Sequence, residues 1–376
     1  MEKVDVVIIG AGIVGLSVAR AVSRVKDAVY VLERHESFGQ ETSSRNSEVL
    51  HAGIYYPPDS LKTRMCIQGN RLTYELCEKH AIAYKRTGKL IVATDSAEIP
   101  DLEKLFANAK ANGVQGLELL SKTKAKELEL HINAEAAILS LSTGIVDTHK
   151  LMEYFEYEAM QNGASITYKT EVQGIKKAAD GYEITVIDAS NEEFSFVAEA
   201  VINCAGLCSD SIAAMVGMDS DALGYRLKYC KGQYFTLSAA KSKRIARLIY
   251  PVPVPQSGGL GIHSCPNLAG IVRLGPDAHY IEREMVEYSV DEGAKKDFFE
   301  SAVKFLPFIE QDDLIPDTAG IRPKLQGPDE AFRDFVIQEE TDKGFPGFVN
   351  CIGIESPGLT AAPAIAELVT QQLRIS

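Results

Sequence analysis

The chain of 376 residues is poor in cysteine, and its seven cysteines form no arrangement that would bind a metal or build a disulfide framework. Their number is odd, no Cys-x-x-Cys pair occurs, and the spacings match neither zinc sites nor disulfide-rich folds. Buried free thiols in a reducing compartment are the simpler interpretation. The sequence therefore argues against a secreted domain held by disulfides, and we expect no metal site.

Long hydrophobic runs are also missing. The longest, residues 6–19, is shorter than the ~20 residues that a membrane-spanning helix needs. Acidic Glu2 and Asp5 lie where a signal peptide would carry positive charge, and no Asn-x-Ser/Thr glycosylation site occurs. We expect an unexported, cytoplasmic protein without a transmembrane segment, and peripheral association with the inner membrane face stays open.

Positive charge is in deficit, since 39 Lys and Arg residues face 52 Asp and Glu residues and the net charge is −13. A nucleic-acid-binding surface needs a basic patch, so we expect no nucleic-acid partner. The motifs Gly-x-Ser-x-Gly and His-Glu-x-x-His are absent, which leaves hydrolase and zinc-protease functions without support. With 45% apolar residues and a length that suggests two domains of ~150 residues, the chain is typical of a soluble enzyme.

The beginning of the chain predicts a strand, a tight turn, a helix and a second strand, at residues 4–9, 10–12, 13–25 and 28–32. Gly10, Gly12 and Gly15 have the spacing that lets a backbone approach a pyrophosphate at a helix N-terminus. Glu33 follows the second strand, where a carboxylate accepts hydrogen bonds from an adenosine ribose. The segment therefore predicts a dinucleotide site, to which we also assign Ile13, Val14 and Arg34.

The same strand–turn–helix pattern returns twice along the chain. An apolar strand is predicted at residues 201–206, ending in Ala205 and Gly206, and another at 347–352, followed by a helix at 360–373. A turn lies between this last strand and the helix. From this turn we assign to the cofactor the residues Ser356, Pro357, Gly358, Leu359 and Thr360. A site assembled from distant segments suits FAD better than NAD, so we expect FAD.

The remaining segments predict a mixed architecture. A polar loop is predicted at 42–56, helices at 60–78, 97–112, 151–162 and 291–305, and strands at 90–94, 165–174, 182–187 and 194–198. Residues 225–275 contain strand-like runs separated by Pro and Gly clusters, a pattern typical of an antiparallel sheet.

Several runs of residues resemble a known family. The run from Ser44 to Tyr56, Ser-Arg-Asn-Ser-Glu-Val-Leu-His-Ala-Gly-Ile-Tyr-Tyr, is similar to the His-Asn-Ser-Gly-Val-Ile-His-x-Gly-Ile-Tyr-Tyr motif of L-2-hydroxyglutarate dehydrogenases and oxidases. Those enzymes belong to the D-amino-acid oxidase and glycine oxidase superfamily of FAD oxidoreductases. Further matches are Ser60-Leu-Lys, Gly69-Asn, Gly88-Lys-Leu, Gly232-Gln-Tyr-Phe, Leu260-Gly-Ile-His, Gly275-Pro, Ala319-Gly-Ile-Arg and Ser356-Pro-Gly. The chain departs from the motif at Ser44-Arg45, where Gly-His is common, and at Glu48, where Gly is common.

The resemblance implies hydride transfer from a dicarboxylic 2-hydroxy acid to FAD. His51 is then the base, because imidazole titrates near neutrality, and Arg322 holds the substrate carboxylate with a planar guanidinium. His263 is expected to face the same cavity. We assign Tyr55, Tyr56, Tyr250, Lys324 and Arg273 to the substrate, and Thr42, Ser43, Ser44, Asn46 and Val172 to the cofactor.

Several alternatives stay open at this point. His51 could merely pack in its loop, and Arg322 could contact the flavin or form a surface salt bridge. The same chemistry could act on an amine, an amino acid or glycerol 3-phosphate, or the protein could be a non-catalytic flavoprotein. The electron acceptor is expected to be oxygen or a quinone.

The expected fold is α/β, with a Rossmann-like FAD-binding domain interleaved with an antiparallel-sheet α+β substrate domain. The FAD-binding domain is expected at residues 1–85, 145–220 and 320–376, and the substrate-binding or cap domain at 86–144 and 221–319.

Overall fold

Three sheets organise the chain in a computed structural model that describes residues 3–253 and 261–375. The helices are α1 (Ile13–Val22), α2 (Leu61–His80), α3 (Ile99–Ala111), α4 (Lys122–Leu128), α5 (Thr148–Gln161), α6 (Ser209–Met215), α7 (Ala239–Ser242), α8 (Lys295–Ala302) and α9 (Gly358–Ile375). The strands are β1 (Lys3–Ile9), β2 (Val29–Leu32), β3 (Val49–Leu50), β4 (Tyr84–Lys85), β5 (Lys89–Ala93), β6 (Leu117–Ser121), β7 (Ala136–Ser140), β8 (Gly144–Val146), β9 (Ser165–Thr167), β10 (Glu171–Ala178), β11 (Gly181–Ile187), β12 (Glu193–Asn203), β13 (Lys228–Leu237), β14 (Leu248–Pro251), β15 (Ser264–Pro266), β16 (Val272–Leu274), β17 (His279–Ile281), β18 (Leu314–Lys324), β19 (Val336–Glu340) and β20 (Phe345–Ile352).

The first sheet has a parallel centre with antiparallel flanks. Strands β9, β2, β1, β12 and β20 run parallel in that order, and β19 pairs antiparallel with β20. Strand β11 pairs antiparallel with the first half of β12, on the same edge as β20, and β10 pairs antiparallel with β11. Strand β1 is almost entirely buried because its branched aliphatic residues face apolar layers on both sides of the sheet. Helices α1, α5 and α9 cover one face and α6 contributes to the other, which is the layering of a Rossmann-like fold.

The second sheet is largely antiparallel. Its strand order is β17, β13, β16, β15, β14, β5, β7 and β6, with β18 also paired to β13, and only β14 and β5 pair in parallel. The long β13–β18 pair ends beside the first sheet, where the Thr42 hydroxyl donates a 3.0 Å hydrogen bond to the carbonyl of Ile321. The two sheets are thus joined at the end of β18.

A small third sheet of β3, β8 and β4 fixes the start of the segment that carries His51. The predicted α/β fold with an antiparallel sheet is confirmed by this arrangement. The first sheet takes strands from residues 3–32, 165–203 and 336–352, and the second from 89–140 and 228–324. The domain boundaries stay a prediction.

Several predicted elements differ from the structure. The strands predicted at 194–198 and 201–206 form the single strand β12, which ends at Asn203 because Gly206 turns the chain with φ +52°. The strand predicted at 165–174 is interrupted at Lys169, whose φ is +53°, and so becomes β9 and β10. The helix predicted at 13–25 ends at Val22, and that at 291–305 is α-helical only in α8.

Residues 254–260, which belong to the predicted antiparallel-sheet region 225–275 and include Leu260 of the Leu-Gly-Ile-His run, lie outside the described residues. Within the described ranges, no helix is long and apolar enough to cross a membrane.

Candidate active site

One large cavity of about 880 Å³ takes its lining from both the first and the second sheet. Its lining includes most residues assigned to a cofactor: Gly10, Gly12, Ile13, Val14, Glu33, Arg34, Thr42, Ser43, Asn46, Val172, Ala205, Gly206, Ser356, Pro357, Gly358 and Leu359. It also includes most residues assigned to a substrate: His51, Tyr55, Tyr56, Tyr250, His263, Arg322 and Lys324. The cavity is therefore continuous from the dinucleotide motif to the predicted reaction site.

The glycines at the turn between β1 and α1 have no room for a side chain. Gly10 has φ +103°, and a Cβ there would lie 2.7 Å from the carbonyl oxygen of Cys204. A Cβ on Gly15 would lie 1.9 Å from the carbonyl oxygen of Gly10, so the third glycine brings the helix against the strand. The open backbone at the start of α1 is the cradle that a pyrophosphate needs.

Glu33 is held in a fixed orientation at the end of β2. Its carboxylate accepts a 2.8 Å hydrogen bond from the backbone N–H of Ala11 and a 2.9 Å bond from that of His35. Arg34 beside it is paired with Glu41, so its charge is compensated. A fixed carboxylate in the cavity wall fits the ribose of an adenine dinucleotide.

The loop after β2 is bonded to α1 and to β18. Ser43 accepts a 3.0 Å hydrogen bond from the backbone N–H of Ile13 at the start of α1, and Asn46 donates one of 2.7 Å to the carbonyl of Ser43. The loop thereby covers the glycine turn and passes along the cavity to His51.

The position where the resembling family has Gly is occupied by Glu48 in a left-handed conformation, with φ +57°. Glycine adopts this conformation without strain, which explains the family's preference. The Glu48 carboxylate accepts a 3.4 Å hydrogen bond from the backbone N–H of Thr148, at the positive end of α5. Glu48 lines the cavity, and burial raises the pKa of its carboxyl group.

Two helices hold His51 by its backbone. The His51 N–H donates a 2.9 Å hydrogen bond to the Thr360 hydroxyl on α9, and its carbonyl accepts one of 2.9 Å from the Asn70 amide on α2. These helices pack very closely, since a Cβ on Gly69 would lie 2.1 Å from the carbonyl oxygen of Thr360. The Gly69-Asn70 pair in the sequence thus serves the position of His51.

The imidazole of His51 is neutral at pH 7. Burial lowers its pKa well below 6.5, and the nearby positive charge of Lys89 lowers it further. Its Nε2 lies 3.4 Å from the Ser356 hydroxyl, which lies 3.4 Å from the hydroxyl of Tyr56. A neutral imidazole next to hydroxyl groups can accept a proton from a bound alcohol.

A second neutral histidine faces the same cavity. Burial lowers the pKa of His263 to about 3, although its bond to Gly261 opposes this shift. Because the carbonyl of Gly261 can only accept, the 2.8 Å bond places the proton on Nδ1 and leaves Nε2 as an acceptor. The imidazole lies on the ring of Tyr250, with centroids 3.7 Å apart.

Arg322 presents its guanidinium from β18. Nη2 donates hydrogen bonds to the carbonyl oxygens of Asp277 (2.6 Å) and Lys231 (3.3 Å), and Nε donates to that of Cys230 (3.4 Å). Among the described residues Nη1 has no hydrogen-bond partner, so it remains available to a ligand. This fixed donor is half-buried and lines the cavity.

A cluster of three charges lies in the cavity wall. The Glu355 carboxylate accepts hydrogen bonds from the ammonium groups of Lys62 (2.9 Å) and Lys324 (3.3 Å). Burial opposes ionisation of Glu355, but the two ammonium groups outweigh it and lower the pKa of this carboxyl. The cluster carries one net positive charge, and Arg322 adds another nearby.

Four of the assigned residues do not line the cavity. Arg273 forms a 2.6 Å ion pair with Asp317, and Ser44 is exposed and donates to the carbonyl of Glu41. Thr360 is fully buried and acts on the backbone around His51, while Gly15 packs the helix on the strand.

Some residues of the cavity wall are not predicted by the sequence. Lys62 and Glu355 are 293 positions apart in the sequence. The signals that could have found them are the two family matches, since Lys62 ends the Ser60-Leu-Lys match and Glu355 directly precedes the Ser356-Pro-Gly match. Tyr234 also lines the cavity, where its hydroxyl lies 3.0 Å from that of Ser47.

The cavity joins a glycine turn that fits a dinucleotide to a pocket with two neutral histidines and a half-buried arginine. This combination defines a dinucleotide-dependent oxidoreductase. The model of a family described as FAD dependent oxidoreductase, DAO, matches residues 5–372. The chain belongs to this family, and its cofactor is FAD, as the sequence predicted.

Similar proteins carry names of enzymes that act on hydroxy compounds. The mitochondrial L-2-hydroxyglutarate dehydrogenase of Arabidopsis thaliana is 39% identical, over 99% of this chain and 83% of that protein. A glycerol 3-phosphate dehydrogenase of Caloramator mitchellensis is 32% identical, over 98% and 74%. The structure of L-alpha-glycerophosphate oxidase from Mycoplasma pneumoniae with FAD bound has a TM-score of 0.88 and 28% identity, covering 100% of this chain and 95% of that one.

Proposed function

We propose that this protein oxidises L-2-hydroxyglutarate to 2-oxoglutarate. The observation that carries the proposal is the continuous cavity, in which the dinucleotide motif and the group of His51, His263 and Arg322 share one space. Relatives at 31–39% identity over nearly the whole chain bear the name of L-2-hydroxyglutarate dehydrogenase, which supports this choice of substrate.

FAD fits the residues that are present. The side-chain-free turn of Gly10 and Gly12 and the start of α1 would hold the pyrophosphate, and Glu33 would hold the ribose. The turn from Ser356 to Leu359, at the start of α9, would face the flavin's polar edge with the positive end of the helix dipole. When bound, FAD accepts the hydride that leaves the substrate carbon.

Arg322 binds the carboxylate next to the reacting carbon. The hydrogen bonds to carbonyl oxygens fix its guanidinium plane, so little side-chain entropy is lost when Nη1 engages an anion. The orientation of the substrate is thereby set before the reaction begins. Such positioning supplies a large part of the rate enhancement that a binding site provides.

His51 takes the hydroxyl proton of the substrate. It is neutral at the pH at which the carboxylates are ionised, and its backbone is held from two helices. His263 places an unprotonated Nε2 in the same cavity, and Tyr55, Tyr56 and Tyr250 complete the wall.

The second carboxylate of a five-carbon diacid needs another cation. We assign it to Lys324, and we add Lys62 because both ammonium groups bond to the same carboxylate of Glu355 and line the cavity. Each ammonium has three donors, so a bond to Glu355 leaves others for a ligand. Arg273 is left out of this set because it pairs with Asp317 away from the cavity lining.

The same proposal includes three further points. The FAD-binding domain comprises residues 1–85, 145–220 and 320–376, and the substrate-binding domain comprises residues 86–144 and 221–319. The protein is cytoplasmic, and its electron acceptor is oxygen or a quinone. Oxygen consumption and hydrogen peroxide release during turnover, compared with reduction of a soluble quinone, would separate the two acceptors.

Glycerol 3-phosphate is the second candidate substrate. Two of the similar proteins bear names that refer to this phosphate ester, and a cluster of cations would also suit a phosphate. An amine or amino acid is the third, since the superfamily also contains oxidases of these compounds.

The substrate is tested by product analysis. Purified holoenzyme is incubated separately with L-2-hydroxyglutarate, its D-enantiomer, glycerol 3-phosphate, glycine and sarcosine, together with an electron acceptor. We expect 2-oxoglutarate from the L-enantiomer at a kcat/KM at least ~100-fold above that of any other compound. A preference for glycerol 3-phosphate or an amine would refute the proposal.

A further inference from the structure

Lys89, at the start of β5, is a fully buried lysine whose ammonium has no hydrogen-bond partner among the described residues. Its Nζ lies 3.9 Å from the centroid of the Tyr250 ring and 5.1 Å from that of the Tyr55 ring. Cation–π contacts of this kind hold the ammonium in place, but they do not neutralise its charge.

The ammonium lies directly behind the active-site wall. Tyr250 and Tyr55 both line the cavity, whereas Lys89 does not. The ring of Tyr250 also stacks on His263, with centroids 3.7 Å apart. One aromatic ring thus separates the ammonium from the histidine end of the cavity.

No anion inside the described protein compensates this charge. Burial raises the pKa of Cys66 on α2 to about 12 and that of Cys265 on β15 to about 11, so both thiols are neutral. Burial also raises the pKa values of Tyr55 and Tyr250 well above 10. The other titratable groups that interact with Lys89 are the neutral imidazoles of His51 and His263.

Such an arrangement lowers the stability of the fold. A buried ammonium without a counter-ion is unfavourable, and burial accordingly lowers the pKa of Lys89 to about 8. At pH 7 the side chain still carries its proton. Strongly perturbed buried charges of this kind occur mostly at functional sites.

We propose that Lys89 is a positioning residue for the substrate: its unpaired ammonium behind the Tyr250 ring supplies the positive potential that draws an anionic ligand to the cavity end lined by His51 and His263. The proposal rests on the proposed function in assuming that the substrate is an anion. A charge in a water-poor environment acts over several ångströms, so direct contact is unnecessary. The bound anion then supplies the negative charge that the ammonium of Lys89 lacks within the protein.

The test uses the holoenzyme and glutarate, a dicarboxylate that lacks the reacting hydroxyl group and binds without turnover. Binding is followed by the change in flavin absorbance for the wild type, Lys89→Met and Lys89→Gln. We expect the Kd for glutarate to rise about tenfold in both variants. Lys241→Met is the matched control, because it removes the same charge from a lysine that pairs with Asp313 and does not line the cavity.

Thermal unfolding separates this electrostatic role from simple packing. Because the buried charge is unfavourable, Lys89→Met should melt at the same temperature as the wild type or higher while binding glutarate more weakly. An unchanged Kd overturns the proposal, and so does a weaker Kd accompanied by a lower melting temperature.

The pH dependence gives an independent check. Wild-type affinity for glutarate should fall as the pH rises through about 8, where Lys89 loses its proton, and Lys89→Met should lack this step. If L-2-hydroxyglutarate does not reduce the wild-type flavin, the proposed function fails, whereas the role of Lys89 is still decided by glutarate. If reduction occurs and the variants bind glutarate normally, only the role of Lys89 fails.

Discussion

The side-chain amide of Asn70 donates a 2.9 Å hydrogen bond to the backbone carbonyl of His51. The same amide donates one of 3.0 Å to the carbonyl of Ser142. Asn70 therefore ties the loop of the proposed base to α2 and to a neighbouring turn, and its single amide nitrogen satisfies two carbonyl groups.

Replacing Asn70 by Ala should reduce both stability and rate. Two partly buried carbonyls would lose their donor, which costs about 1–3 kcal/mol of unfolding free energy. Looser placement of His51 should lower kcat more than it raises KM. Chemical denaturation and steady-state kinetics measure the two effects. Arg71→Ala is the control, since this neighbour on α2 forms only an exposed ion pair with Glu75; equal effects of both variants would contradict the role of Asn70.

Replacing Arg322 by Met should raise KM for L-2-hydroxyglutarate by about 10- to 100-fold, because a charge-assisted hydrogen bond to the carboxylate is lost. The FAD content, read from the ratio of flavin to protein absorbance, should not change. Arg273→Met provides the comparison, since its guanidinium pairs with Asp317 outside the cavity lining. A larger KM effect from Arg273 than from Arg322 would overturn the assignment of the carboxylate site.

Replacing His51 by Asn should slow reduction of the flavin by about 100-fold or more, because the hydroxyl proton loses its acceptor. In the wild type this rate should fall only when the pH drops well below 6.5, where His51 becomes protonated. Stopped-flow measurements across pH follow both effects, with the exposed His149→Asn as the control. Unchanged reduction in His51→Asn would remove this residue from the mechanism.

His263 should make the protein sensitive to acid. Its pKa is about 3 in the folded state, against ~6.5 for an unperturbed histidine, so the unfolded chain binds more protons between these values. Stability is therefore full above pH 6.5 and falls as the pH drops toward 3, by up to ~1.4 kcal/mol per pH unit from this group. His263→Asn should show a shallower loss of unfolding free energy below pH 6.5; an identical slope would show that His263 is not buried in the neutral form.

The local parts of this site are readable from the sequence. The glycine turn, Glu33 and the loop up to Tyr56 are contiguous segments whose chemistry depends on near neighbours, and the structure brings them to one cavity. The two broad sheet types also follow from local patterns of apolar residues, proline and glycine.

Contacts between distant segments are not readable in this way. Lys62 meets Glu355 only because α2 packs against α9 at Gly69, and Lys89 reaches Tyr250 only because β5 and β14 pair. The sequence predicts two strands where the structure has the single strand β12, because Glu199, near the middle of this strand, interrupts the apolar pattern. Such features depend on tertiary pairing, for which a single sequence carries no local signal.

The most direct measurement is an anaerobic titration of the purified holoenzyme, followed by the flavin absorbance near 450 nm. L-2-Hydroxyglutarate should bleach this band fully, and the products should contain 2-oxoglutarate in a one-to-one ratio with reduced flavin. Glycerol 3-phosphate, glycine and D-2-hydroxyglutarate should leave the band unchanged over the same time. Bleaching by glycerol 3-phosphate or an amine, with none by L-2-hydroxyglutarate, would contradict the proposed function.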